Sequence, residues 1–342
     1  MNVTILGGGA WGSAMAIHLA KNHSDSRIEF WVRDAQQAQQ MQLDRVNQRY
    51  LPGVHFPKNL VVSSQWDDIW LGQDPTKQLI VIATPLAGLE QTCQHLIRSG
   101  PSSQHWLWLC KGIDPQTGKL PHEIIAQLLN QSVHPKIQYG VLSGPSFAIE
   151  VAKGLPCALT VASHFPDLIM RTQQLLHRGS MRIYASEDVV GVELGGAVKN
   201  ILAIATGIVD GLGLGLNARA AVITRGMVEM SRLGQAMGAQ AETFSGLAGL
   251  GDLILTATGD LSRNRRVGLE LAVGKNLPEV LEKLGQVAEG VRCAQAVLNL
   301  ARQYGVEMPI VAAVCSVLFE QVEPAQAVAA LLARDPRPEA GR

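Results

Sequence analysis

The first half of the chain alternates short apolar runs with amphipathic stretches. "VTIL" at 3–6, "RIEFWV" at 27–32, "QLIVIATP" at 78–85, "HWLWLC" at 105–110 and "IQYGVLS" at 137–143 read as strands. Between them, "WGSAMAIHLAKN", "LAGLEQTCQHLIRS" and "PHEIIAQLLNQ" read as helices. "CALTVAS" and "MRIYAS" add two strands around the helix "DLIMRTQQLLH". Strands alternating with helices over short connections predict a mainly parallel, doubly wound sheet. From about Asp188 the strand signals fade. Helical patterns follow at 190–210, 217–237, 263–273, 277–284, 290–304 and 309–320, then in "PAQAVAALLA". The pattern predicts an α/β domain over 1–188 and an all-α domain over 189–342, with a loose tail "RDPRPEAGR".

One helical stretch departs from the amphipathic pattern. In "LGGAVKNILAIATGIV", Leu194 to Val209, the only charge is Lys199. Its neighbours on the same face are Gly195, Gly196, Leu202 and Ala203, with Thr206 and Gly207 a turn further, so the ammonium should sit in a hollow. A helix apolar nearly all round is buried, and lysine is seldom fully buried unless paired. The alternative is a snorkelling lysine whose tip reaches water. The run is glycine-rich and shorter than the ~20 residues a membrane span needs, so no span is expected.

Composition narrows the options. At 342 residues the chain can hold two cores. Lys and Arg number 29 and Asp and Glu 29, which argues against an extended nucleic-acid footprint or a polybasic membrane surface. "MNVTILGGG" has no basic n-region or long apolar h-region, so no secretion signal is expected. The five cysteines are scattered, without a CxxC, which points to a reducing cytoplasm and no structural metal site.

The first strand runs straight into "GGGAWG", a G-x-G-x-x-G of Gly7, Gly9 and Gly12 that encloses Ala10 and Trp11. One glycine makes the tight turn, the next lets backbone approach a pyrophosphate, and the third lets helix and strand pack closely. After a strand and before a helix this is a dinucleotide-binding signature and the mark of a Rossmann-like sheet; the bland alternative is a tight turn. The second strand ends "FWVRD". Arg33 stands where an acid for the ribose diol is expected, which favours NADP, while Asp34 beside it keeps NAD open.

Ligands in such sheets bind beyond the carboxyl ends of the strands. Lys111 follows "HWLWLC" directly, and "SGPS" at 143–146 follows "IQYGVL" in the same way, bringing Gly144 and Ser146 to that crevice. In the helical half, Asp252 heads "DLILT" either as an N-cap or as the carboxylate that orients Lys199. "SRNRRVG" starts a helix with Ser262 as its expected N-cap. Arg263, Asn264, Arg265 and Arg266 crowd its first turn, where cations oppose the helix dipole unless an anion binds. Arg263 suits a phosphate fork; Arg265 and Arg266 read as solvated surface charges. Glu289, in "VAEGV", either caps a helix or meets a cofactor.

"GGGAWGSA", "LCKG", "LSGPSFAIEVAKGLP", "GVELGGAVKNILAIATGIVDGLGLG", "GLAGLGDLILT", "SRNRRVG" and "VAEGV" occur in this order over nearly the whole chain. The series resembles the NAD(P)-dependent glycerol-3-phosphate dehydrogenases of bacterial type. Cys157 departs from the pattern, which usually has a small hydroxyl residue there. The resemblance implies reversible reduction of dihydroxyacetone phosphate to sn-glycerol 3-phosphate, feeding phospholipid headgroups. It implies Lys199 as the proton donor and acceptor, with Lys111, Gly144, Ser146, Asp252, Ser262, Arg263 and Asn264 at the substrate. It implies Trp11, Arg33, Ala148, Val287 and Glu289 at the cofactor, with Lys111 and Arg263 possible in both sets. The residues by themselves leave three rivals: a related hydroxyacid dehydrogenase, a flavoprotein and a non-catalytic NADP-sensing module. The apolar helical half makes a homodimer plausible.

Overall fold

The computed structural model describes residues 3–70, 78–101, 103–132, 136–285 and 288–335. Its strands are β1 (Val3–Leu6), β2 (Ile28–Trp31), β3 (Val46–Asn47), β4 (Leu51–His55), β5 (Leu60–Ser63), β6 (Leu79–Ile82), β7 (Ser103–Trp108), β8 (Lys136–Ser143), β9 (Cys157–Ala162) and β10 (Met181–Ser186). Eight form one sheet in the order β10-β9-β8-β7-β6-β1-β2-β5, and β3 pairs with β4 apart from it. β1 and β6 are buried at every position, as an unbroken apolar run between two helical layers requires.

The helices of this half are α1 (Ala10–Asn22), α2 (Ala35–Asp44), α3 (Leu89–Ser99), α4 (Pro121–Asn130), α5 (Ala148–Lys153) and α6 (Pro166–Leu176). The second half is helical: α7 (Val189–Gly211), α8 (Gly215–Ala236), α9 (Ala241–Ser245), α10 (Asp252–Thr258), α11 (Arg263–Ala272), α12 (Leu277–Leu284), α13 (Glu289–Gln303), α14 (Pro309–Phe319) and α15 (Pro324–Leu332). The α/β plus all-α architecture read from the sequence is the one observed. The segment 34–63 is richer than its pattern: α2, the β3–β4 pair and β5 lie there. The Gln-rich α2 buries only Ala38 and Met41, which leaves little periodicity to read.

One antiparallel step positions the site. β8 pairs antiparallel with β9, whereas every other neighbouring pair in the sheet is parallel. β10 therefore ends at the edge opposite the carboxyl ends of β1, β6 and β7. α7 starts from that far edge, packs along β8 and β9, and delivers Lys199 to the carboxyl-terminal side. Every residue from Gly191 to Val209 is buried. Among the described residues α7 alone is long and apolar enough to cross a bilayer, and here it is the core helix of the second half. A Cβ on Gly207 would stand 2.1 Å from the Arg265 carbonyl oxygen, so α7 and α11 pack backbone against backbone.

Candidate active site

Lys199 is 7% exposed and has partners. Its Nζ donates to Asp252 Oδ1 at 2.7 Å and to Thr256 Oγ1 at 2.7 Å. The Thr256 hydroxyl donates in turn to the Asp252 carbonyl at 2.7 Å, which leaves its oxygen free to accept from the ammonium. Lys111 arrives from the end of β7 and donates to the other oxygen, Asp252 Oδ2, at 2.5 Å. It also reaches the Gly144 carbonyl at 3.3 Å. Gly196 makes room for it: a Cβ there would lie 3.3 Å from Lys111 Cδ. The hollow on the Lys199 face is thus filled by a second lysine, and one buried carboxylate serves both. Of the two readings of Asp252, the carboxylate orienting Lys199 is the observed one; α10 has no side-chain cap.

The electrostatics follow from this crowding. Burial pulls the Lys199 ammonium down to about 8; Asp252 resists and Lys111 adds to the fall. Burial pushes the Asp252 carboxyl up, but the two lysines outweigh it and hold it below the usual carboxylate range. The Lys199 ammonium thus holds its proton less tightly than a free lysine does, beside a carboxylate held in its ionised form.

Around this centre, Ser146 Oγ donates to the Gly144 carbonyl at 3.2 Å. Ser262 caps α11, accepting from the Arg265 N–H at 3.2 Å. Arg263 follows it and is exposed on the first turn. Asn264 is buried and locked: its Nδ2 donates to Asn200 Oδ1 at 2.9 Å, and its Oδ1 accepts from the Gly290 N–H at 3.0 Å. Arg265 corrects its reading as a solvated charge. It is 12% exposed and ion-paired with Asp210 and Asp260, because the dipole penalty of the crowded turn is relieved by carboxylates. Arg266 is exposed, its Nε donating to the Asp260 carbonyl. Glu289 opens α13 without capping it. Its carboxylate reaches within 3.9 Å of where a Gly112 Cβ would be. Burial raises its pKa against the pull of Arg292 and Arg263. Thr256 and Asn200 were not singled out by the sequence; their signals are a hydroxyl four residues after Asp252 on one helix face and an amide beside Lys199.

The glycine loop has the shape a dinucleotide needs. Gly7 has φ +122°, and a Cβ there would meet the Ala83 carbonyl carbon at 2.7 Å. A Cβ on Gly12 would strike the Gly7 oxygen at 2.1 Å, so α1 packs hard on the turn. Gly9 faces open space, with nothing within 4 Å of its would-be Cβ. Gly9 is also the N-cap of α1 and offers no side-chain cap, so the N–H groups beginning at Ala10 are left for an anion. Trp11 is partly buried beside them, and Ala148 begins α5. Arg33 is exposed just past β2, while Asp34 spends an oxygen capping α2 through the Gln37 N–H at 2.9 Å. Val287 lies outside the described residues, as does the tail beyond 335.

A nucleotide-binding turn at the head of a parallel sheet, facing a helical half that carries a buried lysine, is the plan of a two-domain dinucleotide-dependent dehydrogenase. The models for the N-terminus and C-terminus of NAD-dependent glycerol-3-phosphate dehydrogenase match residues 2–168 and 188–329. The chain belongs to this family of NAD(P)-dependent oxidoreductases. It is 54% identical to a glycerol-3-phosphate dehydrogenase [NAD(P)+] of Ralstonia nicotianae, over 100% of both chains. A protein of the same description from Cupriavidus metallidurans is 56% identical, over 99% of this chain and 100% of that one. The crystal structure of glycerol-3-phosphate dehydrogenase from Coxiella burnetii superposes with a TM-score of 0.90 at 40% identity, covering 97% of this chain and 99% of that one.

Proposed function

We propose that this chain reduces dihydroxyacetone phosphate reversibly to sn-glycerol 3-phosphate, using residues 1–188 for the dinucleotide and 189–342 for substrate and proton transfer. The observation that carries the reading is the Asp252 carboxylate shared by Lys199 and Lys111 at the carboxyl ends of the strands. When bound, the nicotinamide supplies the hydride to C2. Negative charge then builds on the C2 oxygen, and Lys199 stabilises it and gives up its proton. Lys111 and Asp252 hold that ammonium in place. Arg263, Ser262, Asn264 and the start of α11 bind the phosphate, with Gly144 and Ser146 as further substrate contacts. Gly7, Gly9, Ala10, Trp11 and Gly12 cradle the dinucleotide, with Ala148 and Glu289 as further cofactor contacts.

Arg33 favours NADP over NAD, because Asp34 is engaged as a helix cap and Arg33 is open to a 2′-phosphate. The product would supply glycerophospholipid synthesis. Five free cysteines support a reducing, cytoplasmic setting. Exposed Leu214, Leu216, Ile254 and Leu261 support a homodimer, which sedimentation equilibrium would test.

The direct test is the loss of reduced-cofactor absorbance on adding dihydroxyacetone phosphate, run in parallel with NADPH and NADH. Faster oxidation of NADPH supports both the reaction and the Arg33 clamp. Equal or better use of NADH keeps the reaction and discards the clamp. No oxidation by folded, cofactor-binding protein overturns the reading.

A further inference from the structure

Glu193 lies on α7, six residues before Lys199, and is 3% exposed. Its three hydrogen bonds all go to the α/β half. Oε1 accepts from the Trp108 indole N–H at 2.9 Å and from the His122 backbone N–H at 3.1 Å. Oε2 meets His122 Nδ1 at 2.5 Å. Trp108 is fully buried, ends β7 and stands three residues before Lys111. His122 lies in the first turn of α4.

Beside these bonds the contact is apolar. Val189 and Val192 of α7 pack with Trp106, Trp108 and Val141 of the sheet. Apolar packing is non-directional and tolerates small slips of a helix along a sheet. Hydrogen bonds to a buried carboxylate are directional and become costly when any member is lost. Such a group fixes register, and here it joins the helix that carries Lys199 to the strand that leads into Lys111.

We propose that Glu193 is a positioning residue: by tying Trp108 and the α4 N-terminus to α7, it sets the separation at which Lys111 and Lys199 meet Asp252. The inference rests on the reading of the lysine cluster as the active site. Glu193 itself touches neither lysine, and its effect reaches the chemistry through the end of β7.

A double-mutant cycle tests it. Glu193→Gln keeps the shape and removes the charge; Trp108→Phe removes the indole N–H and carries the cycle if the first variant does not fold. Each is compared with wild type and with the same change made on Lys111→Ala. We expect each latch variant to lower kcat/KM for dihydroxyacetone phosphate about 10-fold. We expect the NADPH dissociation constant to stay within about 2-fold, and the latch effect to vanish on the Lys111→Ala background. A loss of the same factor with or without Lys111, or a parallel loss of NADPH binding, overturns the proposal. Full turnover by Lys111→Ala alone would instead remove the site reading, and the latch with it.

Discussion

Lys199 carries the sharpest prediction at the scale of single residues. Burial lowers its ammonium to about 8. Reduction of the ketone needs the protonated amine, so kcat/KM in that direction should fall as pH rises through about 8. Oxidation of the alcohol needs the neutral amine and should rise over the same window. A pH–rate series in both directions checks the opposite signs; two limbs of the same sign would assign the proton to another group. Lys199→Ala should lower kcat by about 100-fold or more, and near-normal turnover would refute its role. Arg263→Ala should raise KM for dihydroxyacetone phosphate by about 10-fold or more while leaving NADPH affinity nearer to wild type, since a bidentate charged contact is lost; an unchanged KM would remove it from the phosphate site. The lysines and Asp252 were legible in the sequence because charges in apolar or glycine-rich surroundings demand an explanation. The pairing of Asp252 with Lys199 was one of the two readings of Asp252, but that Lys111 shares the same carboxylate was not legible, since no spacing in the chain says so. Arg265 was misread for the same reason: Asp210 lies 55 residues away in sequence yet 2.8 Å away in space.

At the scale of elements, helix ends explain two of the buried carboxylates. Asp188 caps α7, accepting from the Gly191 N–H, and also accepts from the Gln240 N–H and the Thr243 hydroxyl. Glu229, on α8, caps α14 from a distance, accepting from the Ile310 N–H at 2.8 Å and the Val311 N–H at 3.3 Å. Burial pushes its pKa up to about 7, against the pull of those two N–H groups. A carboxyl whose folded pKa lies above its unfolded value binds its proton more tightly when folded. The stability it contributes is therefore present below the ordinary carboxyl range and lost as pH rises from about 4.5 to about 7. Glu229→Gln keeps an oxygen for Ile310 and cannot ionise. Its Tm should gain on wild type between about pH 5 and about pH 8. Thermal melts across that range check it, and parallel curves for the two proteins would contradict it. The helices α7, α11, α13 and α14 were legible from their apolar spacing. Caps supplied from other helices were not, because only local caps such as Ser262 leave a signature beside the helix they start.

At the scale of the whole molecule, two of the three buried apolar clusters are shared between the halves, and the third belongs to the α/β half alone. Ile113 and Leu120, from the α/β half, sit in the cluster built around α7 and α13. Val189, Val192 and Ala248, from the helical half, sit in the cluster built on β6, β7 and β8. The buried polar contacts cross the same boundary: Lys111 to Asp252, and Trp108 and His122 to Glu193. A chain of two independent domains would open its hinge before either core melted, and calorimetry would record two transitions. Here separating the halves strips the two shared clusters and parts Lys111 from Asp252 and Glu193 from Trp108 and His122, so neither half is expected to outlast the other. Calorimetric unfolding should give one transition whose calorimetric and van't Hoff enthalpies agree. Ile113→Ala should lower that Tm without splitting it, since the cavity weakens a core that both halves share. Two resolved transitions in the wild-type protein would show that the two halves unfold as separable bodies. A single transition would mean that the Lys111–Asp252 contact and the shared clusters are lost together when the chain unfolds.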